Sequence, residues 1–324
     1  MLVNLIASFR PPNQRNPMIT SLHRLASYCI LLSFSVLSSD CFVGFGIGTE
    51  KKQSTSNHRH LHPSLDPRNT AKALKMKDTD IEYTFHCYDH CPFGNRVAFL
   101  MDKHGIKYKK VVYGYGSGAL PKDCEGEGYD GDLNPRSLTG KKQLPVLQGD
   151  GVPTQAGAVG MAESLEICSF LIGRHQLVVP SATGRSDLQG IIDFLLDKNV
   201  MNPLTITRLT KMPVPDWADK RDVSYHLWKH TKKGDLNEFP TSEEDAACIA
   251  KVNEKLAELP SMFHGTDENG VPCLNSWGWG MDDVLLLPWL RRLTCIKGIV
   301  YPKQVQEYMA TVGKQVEDYS KHAI

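Results

Sequence analysis

The chain has 324 residues, of which 41% are hydrophobic and 23% charged, so it is predicted to be globular and long enough for two domains. Its net charge of +1 conceals an asymmetry: residues 1–75 carry nine Lys/Arg and three Asp/Glu, whereas residues 76–324 carry twenty-eight and thirty-three. The acidic body has no basic run interleaved with aromatic residues, which argues against nucleic-acid binding. Nine irregularly spaced cysteines fit neither a disulfide-stapled secreted fold nor a structural zinc site, so we expect no metal.

Residues 1–77 are predicted to be a presequence or a disordered linker rather than a domain. Three arginines between positions 10 and 24 precede an apolar run from Leu25 to Leu37, and small residues follow that run, as in the hydrophobic region of a signal peptide. A stable membrane span is disfavoured because Asp40 interrupts the apolar stretch. Cleavage is therefore expected rather than anchoring.

The destination of the chain stays open at this point. A phenylalanine, Phe42, follows the expected cleavage region, and this pattern resembles bipartite plastid-targeting sequences. The segment from Glu50 to Lys77 is polar and basic, as in a transit peptide. Plastid or secretory entry is therefore predicted. Translation from Met76 would instead give a cytoplasmic protein. The three histidines between positions 58 and 62 are expected to be solvated, because no carboxylate is positioned beside them to complete a metal site.

The folded body is predicted to open with a strand from Ile81 to Cys87, a helix from Pro92 to His104 and a second strand from Lys107 to Val112. Cys91 lies between the first strand and the helix, where unpaired backbone N–H groups and the helix dipole favour negative charge. Pro92 suits the first helical turn because that position needs no N–H donor. Cys91 is therefore a candidate nucleophile with a stabilised thiolate.

The rest of the body changes from α/β to all-α near residue 180. Residues 113–133 are Gly-rich and loop-like, residues 144–147 form a short buried strand with a proline at its beginning, and residues 149–151 form a turn. A helix is predicted over residues 163–172, and helical segments separated by Pro/Gly breaks follow residue 185. The predicted domains are residues 78–176 and 185–324.

Two further patterns are not expected to be functional sites. Residues 126–131 match GxGxxG, but they follow no strand, open no helix and carry acidic residues that would repel a pyrophosphate. Trp277, Trp279 and Trp289 lack the basic groove of a base-stacking platform, so they are predicted to pack in the core and between domains.

Four ordered motifs carry a family resemblance: Tyr-Asp-His-Cys-Pro at 88–92, Lys-Gln-Leu-Pro-Val-Leu at 142–147, Met-Ala-Glu-Ser-Leu-Glu-Ile at 161–167 and Leu-Leu-Pro-Trp-Leu-Arg-Arg-Leu-Thr at 286–294. In these motifs the chain resembles the glutaredoxin 2 family of the thioredoxin/glutathione-transferase superfamily, over residues 80–324 with insertions. The resemblance implies an α/β thioredoxin-like N-terminal domain that binds glutathione, followed by an all-α glutathione-transferase-like C-terminal domain.

The resemblance also implies a role for each matching residue. Cys91 would be the catalytic nucleophile, Pro145 would be a cis proline, and the backbone of Leu144 would pair with the cysteinyl part of glutathione as an added strand. Glu163 and Ser164 would bind the γ-glutamyl end, although they could instead only cap a helix. The implied glutathione-binding residues are Pro92, Phe93, Leu144, Pro145, Glu163 and Ser164.

The chain departs from the two-thiol members of the family, which carry Cys-Pro-Tyr-Cys, because Gly94 replaces the second cysteine. The usual intramolecular disulfide is therefore impossible, and a monothiol route through Cys91 is predicted. Cys87 or Cys124 is a less favoured resolving thiol. The side chains of His90 and Arg96 flank the nucleophile, and a cation there would lower the pKa of a thiol.

These residues predict a glutathione-dependent thiol-disulfide oxidoreductase whose partners are glutathione and glutathionylated proteins or small disulfides, and which is a monomer. Two alternatives remain. The chain could be a glutathione transferase that conjugates or reduces electrophiles, or a non-catalytic binding protein of the same fold. Bridging of an iron-sulfur cluster is disfavoured, because Phe93 is bulkier than the residue typical of cluster-binding motifs.

Overall fold

The computed structural model describes residues 82–119, 129–231, 242–310 and 317–324. The predicted presequence of residues 1–77, the alternative start at Met76 and the histidines between positions 58 and 62 lie outside these ranges. Cys124 and the first half of the GxGxxG match, residues 126–128, also lie outside them.

The first part of the described chain is a four-stranded mixed sheet with helices. The strands have the order β2-β1-β3-β4. Its elements in chain order are β1 (Tyr83–Cys87), α1 (Pro92–Lys103), β2 (Tyr108–Val112), α2 (Arg136–Thr139), β3 (Val146–Gln148), β4 (Met161–Ala162) and α3 (Ser164–Arg174). The predicted β-α-β opening, the third strand and the helix beginning near residue 163 are confirmed. The sequence did not indicate α2 or β4, because a single helical turn and a two-residue strand are too short to show a period.

The strand register brings three chain segments to one edge of the sheet, where the strands end or begin. β1 is parallel to β2 and antiparallel to β3, with His86 opposite Val146. Val146 is also opposite Ala162 in the antiparallel strand β4. The ends of β1 and β4 and the beginning of β3 therefore lie side by side. The loop to α1, the segment before β3 and the start of α3 all emerge there.

The second part of the described chain is mainly helical. Its longer helices are α4 (Ser186–Leu196), α5 (Lys198–Leu209), α6 (Lys220–Thr231), α7 (Ser242–Ala257), α8 (Met281–Leu293) and α9 (Lys303–Ala310), and Pro215–Trp217 forms a single 3-10 turn. A short hairpin of β5 (Gly265–Thr266) and β6 (Pro272–Cys273) interrupts the helices, which the prediction of helical segments alone missed. Within the described ranges, no helix is long and apolar enough to cross a membrane.

The three tryptophans near α8 have different environments. Trp289 is buried and its ring meets the Phe93 ring edge to face at 6.1 Å, which joins α8 to the first turn of α1. Trp279 packs against His104 at 5.7 Å. Trp277 is 56% exposed, so its predicted place in the core is wrong. Its neighbours Asn275 and Gly278 form an isolated bridge that turns the chain outward at this point.

Asp89, in the loop between β1 and α1, is bound by the helical part of the chain. Its Oδ2 atom accepts hydrogen bonds from Arg291 Nη2 at 2.7 Å and from Tyr319 Oη at 2.9 Å. Lys110 on β2 forms an ion pair with its other carboxylate oxygen, and the Arg291 Nη1 atom also donates to the Asp89 carbonyl at 2.7 Å. Burial alone would raise the pKa of Asp89, but Arg291 and Lys110 hold it far below its usual range.

Asp89→Asn is expected to lower the free energy of unfolding at pH 7 by about 2 kcal/mol, because it breaks a buried charged network. A carboxyl whose pKa is depressed on folding stabilises the protein above its ordinary pKa of about 4, and this stability is lost as the pH falls. The wild type should therefore lose stability below pH 5 more steeply than Asp89→Asn. Urea unfolding at pH 7, 5 and 3.5 measures both effects. Asp187→Asn, at an exposed ion pair with Arg185, is the control and should change little; equal acid sensitivity of wild type and Asp89→Asn would contradict the prediction.

Candidate active site

Cys91 is the last residue before α1 and has an extended backbone with φ −78° and ψ 118°. Its carbonyl accepts the Asn95 N–H at 3.0 Å and starts the helix, while its own N–H donates to the Tyr88 carbonyl at 3.2 Å. The N–H groups of Phe93 and Gly94 donate to the thiol. The predicted position at the beginning of a helix, with free backbone donors facing the sulfur, is thus present.

The electrostatics of Cys91 differ from the sequence-based expectation. Burial raises the pKa of the thiol, and this effect exceeds the lowering by the Gly94 and Phe93 N–H groups. The carboxylate of Asp216 raises the pKa further, and the guanidinium of Arg292 opposes it. In the ligand-free protein the pKa of Cys91 therefore lies above its usual value. The helix terminus, which favours the thiolate, can be read from the sequence, but the desolvation that raises the pKa of the sulfur cannot.

The residue before the nucleophile, His90, is held by a carboxylate from the helical part of the chain. Its Nδ1 atom donates to Asp216 Oδ1 at 2.5 Å. Asp216 also accepts the backbone N–H groups of Asp89 at 3.0 Å and His90 at 3.2 Å, and it is 0% exposed. Asp216 lies in the 3-10 turn after α5, more than one hundred residues from the loop. The conformation of the loop that carries Cys91 therefore depends on the helical domain.

Arg96, the other predicted flanking cation, stacks on Phe93 with its guanidinium 4.9 Å from the ring centroid. Its Nε atom is buried and has no hydrogen-bond partner. The stacking explains why Phe93, which is 44% exposed, keeps a defined position at the mouth of the site. Arg96 thus shapes the entrance to the site.

The described part of the insertion at 113–133 contributes directly to the site. Tyr115 packs against His90 with ring centroids 4.8 Å apart. Lys142 lies 5.0 Å from the Tyr88 ring and 5.1 Å from the Tyr115 ring, and it donates to the Tyr88 hydroxyl at 2.7 Å. These contacts place the beginning of the insertion beside the catalytic loop.

The glycines of this insertion allow it to approach helix α6. The Gly116 N–H donates to Asp222 Oδ1 at 2.7 Å, and the Tyr129 hydroxyl donates to the same oxygen at 2.5 Å. A Cβ atom on Gly114 would lie 2.5 Å from the Tyr129 hydroxyl oxygen, closer than real Cβ atoms come. A side chain at this position would push the insertion away from α6.

Leu144 and Pro145 lie before β3, at the sheet edge that carries the catalytic loop. The Leu144–Pro145 peptide is cis, as the resemblance implied. No hydrogen bond among the described residues uses the backbone N–H or C=O of Leu144. Because β4 ends at Ala162, this backbone has no neighbouring strand on that side. It offers one donor and one acceptor to an extended peptide.

Glu163 and Ser164 connect β4 to α3 at the same edge. Glu163 has a φ of 70°, a conformation that residues other than glycine rarely adopt, and its carboxylate accepts a hydrogen bond from Gln143 Nε2 at 2.5 Å. Ser164 is the first residue of α3 and is largely buried. Glu163 makes no side-chain capping hydrogen bond, so simple helix capping does not account for this residue. Strained backbone of this kind is concentrated at binding sites.

Comparisons with known proteins agree with this arrangement. A family model described as "Glutaredoxin 2, C terminal domain" matches residues 196–321. The protein named Glutaredoxin 2 from Escherichia coli (strain K12) is 24% identical over 237 residues, which cover 72% of this chain and 94% of that protein. A crystal structure of Glutaredoxin 2 from Salmonella typhimurium, in complex with glutathione, aligns with a TM-score of 0.58 and 21% identity over 75% of this chain and 99% of that chain.

In sequence and in fold, the chain is similar to proteins of the glutaredoxin 2 family. The predicted fold class, a thioredoxin-like domain followed by an all-α glutathione-transferase-like domain, is confirmed by the structure and by this alignment.

Gly94 occupies the position at which the two-thiol glutaredoxins of the Cys-Pro-Tyr-Cys type carry their second cysteine. Cys87 faces that position. A Cβ atom on Gly94 would lie 3.3 Å from the Cys87 Cβ. Cys87 itself is 2% exposed, and burial raises the pKa of its thiol far above the usual value. A thiol that is neither exposed nor ionised is a poor attacking group.

Two residues that act on Cys91, Asp216 and Arg292, were not predicted from the sequence. Asp216 follows a proline in a stretch with no periodic pattern. Arg292 belongs to a motif used for the resemblance, but its sequence neighbours give no sign that it faces Cys91. The described residues contain no group of three or more His, Cys, Asp or Glu side chains suited to a metal ion.

Proposed function

We propose that the chain is a glutathione-dependent thiol-disulfide oxidoreductase that reduces protein-glutathione mixed disulfides by a monothiol mechanism through Cys91. The single observation that carries the proposal is the meeting, at one sheet edge, of a partly exposed cysteine at a helix N-terminus and the unpaired Leu144 backbone before a cis proline. The similarity to glutaredoxin 2 proteins and the glutathione bound to the Salmonella protein support it.

In the proposed site, glutathione lies extended along Leu144. Its cysteinyl N–H and C=O pair with the Leu144 backbone, which directs its sulfur toward Cys91. Its γ-glutamyl carboxylate is bound by the Ser164 hydroxyl and by the N–H groups that begin α3, and its ammonium is bound by Glu163. Pro92 and Phe93 contact the peptide from the side of α1.

The proposed reaction has two exchange steps. The Cys91 thiolate attacks the glutathionyl sulfur of the mixed disulfide; the substrate S–S bond breaks, and the substrate thiolate leaves and takes up a proton. A second glutathione, as thiolate, then attacks the glutathionyl sulfur of the Cys91 adduct. This step forms oxidised glutathione and restores the Cys91 thiolate, so two glutathione molecules supply the two electrons.

The protein stabilises the reacting thiolate with three positive groups. The N–H groups of Phe93 and Gly94 point at the sulfur, and the charge of Arg292 lowers the pKa of Cys91. Because burial raises that pKa, only a minor fraction of the thiol is ionised at neutral pH. That thiolate fraction is the nucleophile, so the rate of the first exchange step should rise with pH.

The test uses the full-length chain as wild type, Cys91→Ser and Cys248→Ser, with a glutathionylated peptide and glutathione. Cys248 is the matched control, because it is also partly exposed but lies on α7. The wild type and Cys248→Ser are expected to release the peptide. In Cys91→Ser the rate of release should fall at least about 10³-fold. Intact-mass analysis should show one glutathionyl adduct on the first two proteins only.

Release that persists in Cys91→Ser would contradict the mechanism. If no protein releases peptide but each conjugates glutathione to an electrophile, the chain is a glutathione transferase. Binding of glutathione without either reaction would identify a non-catalytic binding protein.

A further inference from the structure

Arg292, on α8, lacks a carboxylate partner among the described residues. Its Nη2 atom donates to the Thr205 hydroxyl at 2.7 Å, and its Nε atom is buried without an acceptor. A guanidinium removed from water is normally paired with an anion. Arg208 and Arg291 follow this rule in the pairs Arg208–Asp245 and Arg291–Asp89, whereas the guanidinium of Arg96 stacks on Phe93.

The helix geometry places Arg292 on the side of α8 that faces Cys91. Trp289, three residues earlier, contacts Phe93 in the first turn of α1. Residues three apart lie on the same face of a helix, so Arg292 lies on the face of α8 that contacts the first turn of α1. The charge of Arg292 accordingly acts on the Cys91 thiol and lowers its pKa.

The charge of Arg292 acts on a cluster of further buried polar groups that lack hydrogen-bond partners within the described chain. His226 is 1% exposed, and neither of its ring nitrogens has a hydrogen-bond partner; the buried Trp217 Nε1 also has none. The two rings are in contact, with centroids 4.8 Å apart, and the Trp217 ring is 4.6 Å from His90. The donors therefore belong to one cluster that reaches the residue before Cys91.

The positive charges that act on this cluster include those of Arg292 and Lys229. Burial lowers the pKa of His226 and of His230, and the charges of Arg292 and Lys229 lower both further. The nearby carboxylate, Asp216, already accepts hydrogen bonds from His90 and from the catalytic loop. Among the described residues, the region beside Cys91 thus has several buried polar groups without partners and a single anion, Asp216, which is already bound by the loop.

We propose that Arg292 forms a carboxylate-binding subsite beside Cys91, which selects thiol and disulfide reactants that carry an acidic group close to their sulfur. The proposal rests on the proposed function, since it names the substrate class of that site. The carboxylate could come from an acidic residue next to the glutathionylated cysteine of the substrate or from the second glutathione. A carboxylate there pairs with the guanidinium and supplies the missing anion.

The first test separates the two sources by turnover. Full-length wild type, Arg292→Gln and Arg292→Lys are compared on a glutathionylated peptide with Glu beside the cysteine and on the same peptide with Gln there. Each reaction is resolved either by glutathione or by uncharged 2-mercaptoethanol. Lys303→Gln, an exposed site on α9, is the control for loss of one positive charge.

In the wild type and Lys303→Gln, we expect one of two preferences. If the carboxylate comes from the substrate, kcat/KM should be about tenfold higher for the Glu peptide than for the Gln peptide. If it comes from the second glutathione, the resolving step should be faster with glutathione than with 2-mercaptoethanol by a similar factor. Arg292→Gln should remove that preference, and Arg292→Lys should keep part of it. A preference confined to the peptide arm or to the thiol arm identifies the source of the carboxylate. Absence of both preferences in the wild type, or their persistence in Arg292→Gln, would overturn the proposal.

The second test does not need turnover, so it remains decisive if the proposed function fails. Cys91 is alkylated with anionic iodoacetate and with neutral iodoacetamide, and the ratio of the two rates is followed by mass analysis. The subsite predicts that this ratio falls several-fold in Arg292→Gln and is unchanged in Lys303→Gln. An unchanged ratio in Arg292→Gln, in a protein whose circular dichroism matches the wild type, would show that Arg292 binds no anion there.

Discussion

Replacing Asp216 with alanine is expected to lower the free energy of unfolding by about 3–5 kcal/mol and to remove most of the Cys91-dependent turnover. The substitution leaves the N–H groups of Asp89 and His90 and the His90 Nδ1 atom buried without an acceptor. The catalytic loop can then recover hydrogen bonds only by moving, and such movement displaces Cys91 from the Leu144 edge. Denaturant unfolding and the deglutathionylation assay measure the two losses.

Asp216→Asn separates positioning from a general loss of stability. The amide keeps an acceptor oxygen for the loop but removes the negative charge that raises the pKa of Cys91. The pH midpoint of Cys91 alkylation should therefore move down in this variant. Turnover should still fall, because an amide has one acceptor oxygen where both oxygens of Asp216 accept loop N–H groups. Asp219→Ala, at an exposed neighbour, is the control. It should leave the pH midpoint of Cys91 alkylation and the turnover near the wild-type values. A variant Asp216→Ala with normal stability and normal turnover would refute the role of this carboxylate.

Gly94→Cys is expected to convert the monothiol site into a dithiol site. After Cys91 takes the glutathionyl group, the new thiol at position 94 attacks the Cys91 sulfur. The Cys91–glutathione bond breaks, glutathione leaves, and an intramolecular disulfide forms. The position admits a side chain, because its Cβ would meet no atom closer than the Cys87 Cβ at 3.3 Å. The tight contact should cost some stability but should not prevent folding.

Intact mass distinguishes the two chemistries directly. With oxidised glutathione, the wild type should accumulate a glutathionyl adduct, whereas Gly94→Cys should lose two hydrogens and carry no adduct. Gly94→Ser is the matched control, since it adds a side chain of similar size without a thiol, and it should retain the adduct. A wild type that forms an internal disulfide under these conditions would show that another cysteine already resolves the adduct.

The sequence predicted the parts of the site that are written locally. Cys91, Pro145 and Ser164 each lie where a strand meets a loop or a helix, and turn and capping chemistry marks such junctions within a few residues. The side-by-side placement of these junctions followed from the resemblance, and the register of His86, Val146 and Ala162 accounts for it physically.

The groups that surround Cys91 from the helical domain were not predictable in this way. Asp216 and Arg292 act across more than one hundred residues of sequence, and neither has a local pattern that distinguishes a buried partner from a surface charge. The expectation of a stabilised thiolate failed for a related reason. Desolvation depends on which distant side chains cover the sulfur, and a sequence window around position 91 contains none of them.

The exchange of carboxylates between the two domains has a consequence for modularity. Asp89 of the thioredoxin-like domain is bound by Arg291 and Tyr319, and Asp216 of the helical domain binds the same catalytic loop in return. Separating the domains would strand a buried charge on each side. The loop that carries Cys91 is therefore held by residues of both halves, and replacing either half calls for a matching change in the other.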